Sequence, residues 1–165
     1  TLHTNSAATA IPRLLDMGVE PFLLVSTIRL VLSQRLVRQL CAAREKYTLS
    51  EAALKELKTR VDLESVMTVL ENENLVKLGE GWSKVTLARP ASSPECADGY
   101  AHRIGIHEIM TLSPALKEMV MKGETAGKLE VEAKKEGMIT MLEDGIYKAA
   151  RGITSIEEVF RVVSE

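Results

Sequence analysis

The pattern of apolar and polar positions predicts a helical start, a small β element and a helical end. Residues 6–17 alternate small and apolar side chains up to Gly18, a natural helix stop. Pro12 lies inside this run, so the expectation is a helix that starts near Ile11, or one that is kinked. Over residues 20–40, Leu24, Ile28, Val31, Leu32, Arg35 and Leu36 follow helical spacing. That predicts a long helix with Arg35, Arg38 and Gln39 at its polar end, where cations suit the dipole. Ser50 caps a short helix over 50–59, and 63–72 forms another around Val66, Met67, Val69 and Leu70. Gly79 and Gly81 flank a turn before Trp82, residues 84–87 read as a strand, 89–98 as a loop and 100–109 as a second strand.

The last third is helical throughout. Ser113 and Pro114 open a helix that Gly123 ends. Residues 125–135 form a helix closed by Gly137, and 140–150 form one closed near Gly152. The final helix begins at Thr154-Ser155-Ile156-Glu157-Glu158, a capping-box pattern. The fold class is therefore α/β and mostly α.

Composition narrows the classes of function. The 165 residues suffice for one domain or two small subdomains. A net charge of -2 without a polybasic tract gives no electrostatic footprint for nucleic acid or anionic lipid. Only 4% of residues are aromatic, which disfavours a stacking platform for single strands. The most apolar stretch, 21–32, is too short and too polar to span a bilayer. Cys41 and Cys96 lie far apart and read as two buried free thiols in a reducing compartment.

The chemistry concentrates at the beginning of the chain. Thr1-Leu2-His3-Thr4-Asn5-Ser6 places an imidazole among hydroxyl and amide groups just before a helix. Such groups can hold a phosphate, helped by helix N–H donors. The same residues also serve as an ordinary helix cap at Asn5 or Ser6. A phosphate loop is missing: Gly123, Gly127 and Lys128 have the wrong spacing, and Leu129 stands where a hydroxyl would hold magnesium. The chain is expected to begin inside a larger active site and to lack phosphoryl transfer of its own. Zinc is not expected. Cys41 and Cys96 are each half of a Cys-x2-Cys pair, and His102 and His107, five apart on a strand, point to opposite faces.

Four blocks in order, TLHTNSAATAIPRLLDMGVEPF, SQRLVRQLC, GYAHRIGIHEIM and EDGIYKAARGITSIEEVFRV, resemble the C-terminal part of the secretion ATPases. These are the motors of type II secretion and type IV pilus assembly. The resemblance is weakest over about residues 45–92. It implies the C-terminal portion of a RecA-like P-loop ATPase core in residues 1–40. It implies the equivalent of the family's zinc subdomain in 41–109, with degenerate ligands, and a helical C-terminal subdomain in 110–165. It places His3 at the family's His box near the terminal phosphate of ATP. It places Arg103 on the nucleotide side, and Gln34 and Arg35 in a block where a structural role is as plausible. Two departures stand out. Arg44 and Ser93 occupy two of the four positions that are cysteine in many members, and His102 replaces a glycine before Arg103. The resemblance further implies ATP and Mg in a full-length parent, a homo-hexamer, an inner-membrane platform protein as partner, and a cytoplasmic location peripheral to the inner membrane. From the residues alone two readings remain, a freestanding helical interaction module and a zinc-binding regulator.

Overall fold

The structure is a computed structural model that describes residue 2 and residues 4–164. Thr1, His3 and Glu165 lie outside the described residues. The chain divides into two compact units. One joins the N-terminal residues through Gln34 with His107–Met141, and the other joins Arg35–Ile106 with Leu142 onward.

The first unit begins with α1, Ala7–Asp16. The helix starts four residues before Ile11 because Ser6 and Thr9 form a capping box: Ser6 Oγ accepts the Thr9 N–H at 3.3 Å and Thr9 Oγ1 accepts the Ser6 N–H at 3.1 Å. Pro12 sits inside it, and the complete burial of Ala7, Ala8 and Ile11 offsets the hydrogen bond that proline omits. At the far end Val19 N–H bonds the Leu14 carbonyl and Gly18 N–H that of Leu15, a Schellman arrangement with Gly18 at φ +85.

The long helix expected over 20–40 is instead a short helix followed by a strand. α2, Pro21–Thr27, ends at Ile28, and β1 runs Leu30–Leu40. The leucine-rich run satisfies both periodicities. Pairing with β4, Tyr100–Thr111, decides the outcome. Leu112 N–H donates to the Arg29 carbonyl at 2.9 Å and Cys41 N–H to the Gly99 carbonyl at 3.0 Å, so these strands run antiparallel. β1 buries Ser33 and Val37 and leaves Leu30, Leu32 and Leu36 about half exposed, at 53%, 51% and 50%. The core of this unit gathers Ala7, Ile11, Met110, Leu112, Leu116 and Leu129. Here α5, Pro114–Met121, and α6, Ala126–Lys135, pack on each other, α1 packs on α6, and α2 packs on α5.

The second unit holds β2, Arg44–Tyr47, which the sequence pattern did not suggest, paired antiparallel with β3, Leu87–Pro90. The strand expected at 84–87 thus begins only at Leu87, because Trp82–Lys84 forms a short 3-10 turn. Trp82 is buried there and its indole N–H donates to the Leu63 carbonyl at 3.2 Å. α3, Glu51–Lys58, and α4, Leu63–Asn72, appear where the pattern put them. α7, Met141–Ala150, has its first residue in the first unit and the rest in this one, and α8, Ile156–Val163, closes the chain. A Cβ on Gly145 of α7 would come within 2.4 Å of the buried Val159 side chain of α8, so glycine is required at this close approach. Among the described residues, no helix is long and apolar enough to cross a membrane.

Candidate functional site

The segment singled out by the sequence leads into the N-terminus of α1. His3 itself lies outside the described residues. What is described is the frame behind it. Ser6, not Asn5, is the helix cap. Glu108 on β4 reaches that helix start: Oε1 accepts the Ala7 N–H at 2.7 Å. Oε2 accepts the Met141 N–H, the first residue of α7, at 3.3 Å. Two amides of the first turn that an anion could use, those of Ala7 and Thr9, are therefore engaged by Glu108 and Ser6. Sequence reading missed Glu108. Its only signal was a carboxylate between Ile106 and Met110 on the inward face of a strand.

Arg103 lies in the other unit and its side chain is exposed. Its carbonyl accepts from the Gln39 amide at 3.2 Å. His102, just before it, has φ +60. The histidine thus adopts the left-handed backbone that glycine takes freely, and the chain path into Arg103 is one that a glycine would give. On β1, Gln34 is exposed and Arg35 is half-buried.

Cys41 and Cys96 are not separate free thiols as expected: they form a disulfide, with Cα atoms 6.7 Å apart. The backbone brings them together. Cys41 N–H bonds the Gly99 carbonyl, and Cys96 exchanges two 3.0 Å hydrogen bonds with Ser93. They line an open cavity of about 580 Å³ together with Gln39, Glu95 and His102. The donor set does not fit a tetrahedral zinc site. Both sulfurs are bound to each other, and Arg44, which stands at one of the other two positions, donates to the Gly152 carbonyl.

A second network joins β1 to α8. Glu158, 2% exposed, accepts the Arg38 N–H at 3.1 Å, Arg38 Nη2 at 2.8 Å, and a fork from Arg161 at 2.8 and 2.9 Å. Burial pushes its carboxyl up, but the hydrogen bonds from Arg161 and Arg38 outweigh this and hold it down at about 2. The same bond to Glu158 raises Arg38. Arg38 also lies 4.2 Å over the Tyr100 ring, and Tyr100 OH meets Ser155 Oγ at 2.7 Å. Ser155 accepts the Glu158 N–H as the capping-box pattern requires, yet the carboxylate goes to the arginines rather than back to the cap. Sequence could not reveal this partner, because Arg38 and Glu158 are 120 positions apart.

The described residues form an α/β chain with small antiparallel sheets and leucines exposed on one strand. Comparison with known proteins gives the family. The model of the type II/IV secretion system proteins matches residues 1–161. Type II secretion system protein E of Xanthomonas campestris is 43% identical over the whole chain, which spans 26% of that protein. The type IV pilus assembly ATPase PilB of Pseudomonas aeruginosa is 35% identical, with 100% of this chain and 26% of its own length covered. The type II secretion system ATPase E of Vibrio cholerae is 38% identical, covering 100% of this chain and 29% of its own. The chain belongs to the type II/IV secretion system protein family. It spans about a quarter of the length of these relatives.

Proposed function

We propose that this chain is the C-terminal segment of a hexameric ATPase that powers type II secretion or type IV pilus assembly. The observation that carries this reading is the family match over residues 1–161 together with coverage of about a quarter of each relative. The exposed leucines of β1 support it, since a strand face of Leu30, Leu32 and Leu36 suits cover by further protein. In this reading residues 1–40 complete a RecA-like core. Residues 41–109 form the equivalent of the zinc subdomain without its metal, and 110–165 form a helical end that packs in the ring.

Bound ATP with Mg supplies the reacting terminal phosphate and the metal that neutralises its charge. The residues of this chain act around it. His3 hydrogen-bonds near that phosphate and senses its loss. α1, four residues on, carries the change away as a rigid element. Arg103 lends positive charge on the nucleotide side, and the glycine-like backbone at His102 supports its carry-over from the family pattern. Because the phosphate loop is not in this sequence, the isolated chain has no turnover. The parent works at the cytoplasmic face of the inner membrane against a platform protein.

The test is ATP hydrolysis by the full-length gene product with and without His3→Ala. We expect a loss of turnover on the order of 100-fold. Unchanged turnover would overturn the role of His3.

A further inference from the structure

We propose that Glu108 is a positioning residue for hydrolysis, fixing the start of α1 and so the placement of the His3 segment. The inference rests on the reading of His3 given above. Glu108 lies on the inward face of β4, 4% exposed, between Ile106 and Met110, which are fully buried. An apolar side chain would fill such a position without the desolvation that a carboxylate suffers. The carboxylate instead takes one N–H from the first residue of α1 at 2.7 Å and one from the first residue of α7 at 3.3 Å. Two helix N-termini, each a positive dipole end, therefore converge on one side chain.

This contact is not needed to start α1. Ser6 and Thr9 already close a reciprocal capping box. What Glu108 adds is location: it ties Ala7, the first helical residue, to a fixed point on the strand. His3 precedes Ala7 by four residues, with the extended Ser6 between them at φ -148 and ψ 165. A shift of the Ala7 amide moves the start of α1 together with the Ser6 cap bonded to Thr9. Catalytic groups tolerate little displacement, so a small shift here costs turnover rather than nucleotide affinity.

The experiment is a mutant cycle in the full-length product: wild type, Glu108→Gln, His3→Ala and the double variant, each measured for kcat and KM with ATP. Residual hydrolysis is followed by release of labelled phosphate. We expect Glu108→Gln to lower kcat about tenfold with KM held within about twofold, and to add less than about twofold in the His3→Ala background. A purely structural role lowers both backgrounds by the same factor, as would partial misfolding, and that result overturns the proposal. Wild-type kcat in Glu108→Gln with an inactive His3→Ala overturns the role of Glu108 alone. Full turnover in His3→Ala overturns the reading of His3 and this inference with it.

Discussion

Glu108 in one unit and Glu158 in the other are each almost fully buried, and each accepts several hydrogen bonds. Glu108 is held by backbone N–H groups of two helix starts, Glu158 by two guanidinium groups and one amide. Backbone donors carry no net charge and come with any helix that begins at that point, so the bond records where the helix lies. Guanidinium donors bring charge, so the bond depends on ionisation and on which side chains stand opposite. The first contact sets position. The second binds β1 to α8 and contributes mainly to stability.

The largest effect that separates the two units should come from the disulfide, whose loop lies wholly in the second. With its cysteines 55 positions apart, the chain-entropy relation gives about 4 kcal/mol. Unfolding with and without a thiol reductant, checked against a Cys41→Ser/Cys96→Ser variant, should show the second unit weakened and the first unmoved.

Glu158→Gln should cost roughly 3 kcal/mol, because it leaves Arg38 and Arg161 facing a neutral amide. The acid limb follows with the same sign. The folded carboxyl sits at about 2, below its ordinary 4.5. Its contribution, again about 3 kcal/mol, is complete above the ordinary value and is lost as pH falls from there toward 2. Denaturant midpoints measured between pH 7 and 2 would show the loss, and Glu158→Gln should flatten that slope. The smallest effect concerns backbone alone. His102→Gly should stabilise the second unit by about 1 kcal/mol, since glycine holds φ +60 without the Cβ clash. Thermal midpoints would show it as a rise of a few degrees.

Much of the fold was legible in local pattern. α3 to α8 fall close to where the pattern put them: side-chain caps from Ser50, Asp62, Ser113 and Ser155 start α3, α4, α5 and α8, while α6 begins after Thr125 without a side-chain cap bond. β1 was not legible. Val31, Leu32 and Leu36 fit a helix as well as a strand, and only β4, some 70 positions away, decides between them. β2 is four mostly charged residues, Arg44–Tyr47, with no alternation to reveal it. In the His3 segment only the imidazole stood out, since threonine, asparagine and serine are ordinary residues before a helix. Its frame was not visible, because Glu108 meets Ala7 across 101 positions. The cysteine pair was hidden for the same reason.

ATP turnover by the isolated chain and by the full-length gene product, at equal concentration, separates a motor segment from a freestanding module. Hydrolysis by the full-length product and none by the isolated chain is the expected result. Turnover in the isolated chain that survives repeated purification, or a full-length product that hydrolyses nothing, would contradict it.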